Sequence, residues 1–251
     1  MLEGMLMALW GLFVGLMVGF TAIGTGLLGI PGLIVLFQIP ALTSVGSMAV
    51  AGFLMMLAGT VQHYRAGNVV VPVALLFSLT AVPASYLGAR FADDLNDLVP
   101  LQYIIGGVIV LSVGLLFYRY VIVRAQPREL RVVPWKLALS PALGIVLGVL
   151  MGATSISGSI IVIAFIMLLK LPTSNAVGTT SITAAVSLLL GSVAHLQEGN
   201  VDWLVVASLT PGVLVGASIG AAYADRVPRH ILRIAILLLL LAAGVMVLIE
   251  S

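Results

Sequence analysis

Apolar runs of about twenty residues follow one another along the whole chain, separated by short polar or glycine-rich stretches. They predict helical spans near 5–22, 42–62, 69–91 and 99–118, and again near 137–154, 174–194, 201–223 and 231–249. After the first span of each set comes a shorter apolar element, near 26–38 and near 158–170. An element of about 13 residues reaches only about 20 Å as a helix, against a hydrocarbon core about 30 Å thick. Each short element therefore either dips into the membrane and returns, or crosses with help from irregular backbone on both sides.

The pattern repeats with one offset of 132 residues and no gap. Gly26 maps onto Gly158, Pro40 onto Pro172, Gly46 onto Gly178, His63 onto His195, and Gly67-Asn68-Val69 onto Gly199-Asn200-Val201. The chain reads as a duplicated unit, with the first repeat at 1–120, a linker at 121–135 and the second repeat at 136–251. Internal repeats of this kind mark secondary transporters.

Charge decides how the halves lie. If the short elements return, the halves point the same way and the basic residues divide six to five, with no positive-inside bias. If they cross, the second half is inverted. Arg65, the group from Arg119 to Lys136, Lys170 and the group from Arg226 to Arg233 then share one side, ten of the 11 basic residues, with Arg90 alone opposite. The expected fold is an all-α polytopic membrane protein of two inverted repeats, each of about five helical elements with the second short or broken. The linker and HYRAGNVV then face the cytoplasm, while HLQEGNVD and both termini face outward. The apolar N-terminus lacks a basic leader and runs past any small-residue cleavage point, so it reads as a retained first span.

Candidate chemistry lies at the interruptions. TAIGTGLLGIPG at 21–32 and ATSISGSI at 153–160 precede the short elements, and SVGSMA at 44–49 and AVGTTSIT at 176–183 follow Pro40 and Pro172. Interrupted backbone in a membrane must line a cavity or be buried in protein. Paired interruptions at matching places point to a transporter's midplane site, and free N–H groups beside hydroxyls suit an anion. The candidate substrate-binding residues are Gly24, Thr25, Gly26, Gly46, Ser47, Ser157, Gly158, Gly178, Thr179 and Thr180. Against this stands plain helix packing through small residues. His63, Arg65 and His195 are candidates for coupling or gating, and each histidine could instead satisfy a backbone carbonyl.

Composition narrows the function. Only 8% of residues are charged, against about a quarter in soluble domains, so the bilayer is the main surroundings and nucleic acid is not an expected partner. There is no cysteine, no HExxH, no Walker loop and no Gly-x-Ser-x-Gly elbow, so neither an enzyme nor a bound metal or cofactor is expected.

In each half a glycine-rich break, a proline, a Val-Gly-Ser/Thr segment and a long helix closing on His-x-x-x-Gly-Asn-Val occur in order. GTGLLGIPGLIVL, VGSMAV, HYRAGNV and LGARFADDL, then VGTTSI, HLQEGNVDW and IGAAYADRVP, resemble the TauE/SafE family of sulfite exporters over nearly the whole chain. The resemblance implies a carrier in a prokaryotic cytoplasmic membrane that exports small sulfur-containing anions such as sulfite or organosulfonates. Alternating access about a midplane site between the repeats is the expected mechanism. An anion channel on the same fold and a non-transporting membrane scaffold are the alternatives. Proton coupling and a homodimer are left open.

Overall fold

The computed structural model describes residues 2–21, 25–118, 134–223 and 229–249. Among these the chain is helix and short connections, with no strand. The helices are α1 (Leu2–Thr21), α2 (Thr25–Val35), α3 (Ala41–Arg65), α4 (Val71–Arg90), α5 (Ala92–Leu98), α6 (Leu101–Phe117), α7 (Pro134–Thr154), α8 (Gly158–Met167), α9 (Thr173–Gln197), α10 (Trp203–Tyr223) and α11 (Arg229–Ile249). The 132-residue offset carries α3 onto α9 at both ends and brings α1, α2, α4 and α6 onto α7, α8, α10 and α11. Residues 119–133, most of the expected linker, lie outside the described residues, and α7 begins at Pro134, inside the linker's expected range.

Six of the described helices are long and apolar enough to cross a membrane, or seven if α5 and α6 count as one bent span. The span expected near 99–118 is α6, and a short helix not expected from the sequence precedes it. Ala92–Leu98 is a helix of its own, set at 96° to α6. Pro100 forces the break, because it cannot continue a helix and biases Val99 to the extended backbone it shows. Asn96 then caps the new helix, its Oδ1 accepting the Leu101 N–H at 2.9 Å.

Glycines set the helix pairing. On α10, Gly212 and Gly216 lie against the carbonyls of Ala8 and Leu12 on α1, four-residue steps in the same direction, so these helices run parallel. On α7, Gly144, Gly148 and Gly152 lie in the same way against Phe77, Ala81 and Ser85 of α4. The two pairs are one arrangement with the halves exchanged. At such positions the backbones approach too closely for a Cβ, the small-residue packing that serves in lipid, where apolar burial gives little drive between helices. The equivalent helices α3 and α9 run antiparallel: Gly46, near the start of α3, meets the Asn200 carbonyl beyond the end of α9, and Gly178 meets that of Asn68.

Both long helices close alike. Gly67 and Gly199 have φ of +68° and +75°, and the Asn68 and Asn200 N–H groups donate back to His63 and His195 carbonyls at 3.0 and 2.9 Å. Side-chain closure of these turns by the asparagines is the natural expectation for Asn, but the backbone does the closing. The Asn200 side chain instead reaches Asp93. The short helices sit innermost: Thr25–Ile34 of α2 is buried throughout, and Phe165 of α8 meets Phe77 edge-on with ring centroids 5.2 Å apart.

Candidate functional site

The two chain interruptions meet inside the protein. Gly26, in the first turn of α2, packs directly on the carbonyl of Ser155, which lies in the non-helical stretch between α7 and α8. Ser155 has a φ of +52° and donates through Oγ to the Val45 carbonyl at 2.9 Å, which holds the break open against α3. Thr25 is buried against Gly52 in the middle of α3. Gly24 lies outside the described residues.

Two residues after Ser155, Ser157 is the N-cap of α8, which starts at Gly158, and no side chain caps its first amides. The hydroxyls of Ser157 and Ser159 are buried and have no hydrogen-bond partner among the described residues. The result is a helix N-terminus with free donors and a partial positive charge.

A cavity of about 150 Å³ reaches this point, far more room than a single water needs. Its apolar lining comes from Val18, Met55, Met56, Val162 and Leu214. Its polar lining comes from Gln62, His63, Thr180, Ser181 and Ser218, and Gly158 lines it as well. Thr180 is 3% exposed and its Oγ1 has no partner among the described residues. A buried hydroxyl left unpaired costs about 1–3 kcal/mol, so this one is suited to meet an acceptor on a ligand. The lining holds no carboxylate among the described residues, and His63 is its titratable group. Arg65 is exposed at the end of α3, two residues past His63, and is not among the residues that line the cavity.

The remaining candidates divide differently. Ser47 and Thr179 hold the opposite half's turn: the Asp202 N–H donates to Ser47 Oγ at 3.0 Å, and the Val70 N–H donates to Thr179 Oγ1 at 3.0 Å. Gly46 and Gly178 allow the same turns to come close. His195 is fully buried, with Nε2 2.9 Å from the Gly152 carbonyl. Of the ten candidate binding residues, the cavity wall includes Gly158 and Thr180. Met55, Met56, Gly59, Gln62 and Ser181 were not legible as wall residues from motifs alone. The signal available was helical spacing, since 55, 56, 59, 62 and 63 form one stripe of small, polar and soft side chains on an apolar span.

The two ends of the molecule differ. Gly59, Gln62 and His63 line the cavity, while their equivalents Gly191, Ala194 and His195 are buried, Gly191 against Ser85 Oγ. Ser85 also donates through Oγ to the Ser187 carbonyl at 3.0 Å, sealing α4 to α9.

A family model described as sulfite exporter TauE/SafE matches residues 7–247. The chain belongs to that family. It is 29% identical over 97% of its length to the whole of the probable membrane transporter protein YdhB of Bacillus subtilis. It is 28% identical to YjnA of the same organism, over 87% of this chain and 91% of the relative. A probable membrane transporter protein of Xylella fastidiosa is 24% identical over 83% of the chain and 80% of its own length. No solved structure matches. As a TauE/SafE member with this set of apolar helices, the chain is a multi-pass membrane transporter and not an enzyme.

Proposed function

We propose that the chain is a secondary transporter exporting a small sulfur-containing anion, sulfite or a short organosulfonate, by alternating access between two inverted repeats. The observation that carries this reading is the cavity: it runs from the His63 end to the uncapped start of α8, while the matching residues at the His195 end are packed shut. The antiparallel course of α3 and α9 supports the inversion, because equivalent helices of inverted repeats must run in opposite directions. The bias of basic residues supports a His63 end facing the cytoplasm of a prokaryotic inner membrane, with both termini outside.

The site proposed for the anion is Gly158, the α8 amides and Thr180, with Ser157 beside them. Donors there are fixed in place, and no carboxylate among the described residues lines the cavity to repel the ligand. His63 on the wall is the candidate coupling group.

A thermal-shift screen of the purified protein against sulfite, sulfate, thiosulfate, sulfoacetate, taurine and simple carboxylates tests the reading. A ligand at about one hundred times its dissociation constant adds about 2.7 kcal/mol of stability. Stabilisation by a sulfur oxyanion, lost in Thr180→Val, is the expected result. A shift with carboxylates only would replace the substrate class.

A further inference from the structure

The two ends of the molecule are built from equivalent pieces that carry different side chains. Where α9 finishes, three polar contacts tie it to α4 and α5. Tyr86 Oη donates to Gln197 Oε1 at 2.7 Å. Arg90 Nη1 pairs with Glu198 Oε1 at 2.7 Å. The Asn200 side-chain amide lies 3.3 Å from both Asp93 carboxylate oxygens. The offset puts Ser218 and Arg65 in place of Tyr86 and Gln197, and Ala222 and Ala66 in place of Arg90 and Glu198. Two alanines cannot form an ion pair, and the Ser218 hydroxyl donates within its own helix to Leu214 at 2.8 Å.

We infer that Tyr86–Gln197 and Arg90–Glu198 form a one-sided latch that holds the His195 end shut and makes the form open at His63 the resting state; Asp93 and Asn200 map onto the same residue types, Asp225 and Asn68, and are not part of it. The inference rests on the alternating-access reading and adds what sets its equilibrium. Opening the His195 end requires α9 to part from α4, which breaks both pairs along with the Ser85–Ser187 bond beneath them. Closing the His63 end makes no counterpart of the ion pair at the equivalent positions, which are Ala222 and Ala66. The difference between the two states is thus written in side chains that touch no substrate. The ion pair is partly exposed, at 49% and 26% for the two side chains, so its effect is on populations and leaves the fold intact.

The chain has no cysteine, so single cysteines report accessibility without background. Met55→Cys on the cavity wall and Ser187→Cys at the equivalent buried position are labelled with a water-soluble methanethiosulfonate reagent. Each is placed in the native background, in Arg90→Gln/Tyr86→Phe, and in the charge-exchanged Arg90→Glu/Glu198→Arg. With the latch broken, Ser187→Cys should label about two- to five-fold faster, and Met55→Cys slower by a comparable factor. Charge exchange should bring both back toward native rates. Unchanged rates in the broken latch would overturn the proposal, and so would a rise at both positions together, which signals general loosening. Labelling needs no substrate: a reciprocal shift in protein that moves no sulfur anion would leave the latch standing and remove the substrate. Sulfite transport without the reciprocal shift would remove the latch alone.

Discussion

The Val70 N–H donates to Thr179 Oγ1 at 3.0 Å, joining residues 109 apart in sequence, with both groups buried. The same bond, with the halves exchanged, joins Asp202 N–H to Ser47 Oγ. Each repeat thus uses its Val-Gly-Ser/Thr motif to satisfy the amide that follows the other repeat's Gly-Asn turn. This relationship binds the motifs singled out in the sequence into a crossed pair, and it assigns these two hydroxyls a structural task.

Thr179→Val removes the acceptor and leaves a buried amide unpaired. A loss of about 1–3 kcal/mol is expected, read as a lower thermal midpoint in detergent, whereas Thr179→Ser should keep most of the stability. Equal midpoints for Val and Ser would show that the bond contributes nothing.

Thr180, one residue on, should behave in the opposite way. Its hydroxyl is buried without a partner among the described residues, so Thr180→Val should leave the midpoint unchanged or raise it slightly. The same variant should lose the midpoint shift given by the anion. A variant that melts early but still responds to the anion would exchange the roles of the two threonines.

Gly178→Ala places a Cβ against the Asn68 backbone carbonyl, and about 1–3 kcal/mol of overpacking is expected. Gly67→Ala meets no atom nearby but must hold a φ of +68°, so a smaller loss of about 1 kcal/mol should follow. Thermal or denaturant unfolding of the two proteins side by side ranks the effects. A reversed order would mean that the turn yields less readily than the helix contact.

His63 and His195 occupy equivalent places with unequal surroundings. His195→Ala opens a void and strips the Gly152 carbonyl of its partner, so it should destabilise by about 1–3 kcal/mol or more. His63→Ala, on the cavity wall, should leave the thermal midpoint near native and alter flux. Equal midpoint losses at both positions would contradict the asymmetry between the two ends.

Much of the architecture was legible because lipid demands it. A span must be apolar and of fixed length, so the long helices, the 132-residue offset and the short second elements could be read directly. The α5 helix escaped because it lies at 96° to α6 and carries the acids of ADDLNDL, which resemble a loop when only hydropathy is followed. The site was legible only in part. Gly26 and Gly158 stand out as interruptions, yet glycine serves close packing and ligand approach alike, and only the surroundings tell which. Gly26 meets backbone, while Gly158 meets the cavity. Ser47 and Thr179 are indistinguishable in sequence from ligand donors, because a hydroxyl carries no sign of which partner it will find across the fold.

The most direct test of the central claim is the flux of labelled sulfite in proteoliposomes holding the purified protein. The account predicts saturable movement at no more than about 10³ per second, reduced in Thr180→Val and retained in Thr179→Ser. Flux no greater than that of protein-free liposomes, or unsaturable flux far above that rate, would contradict it.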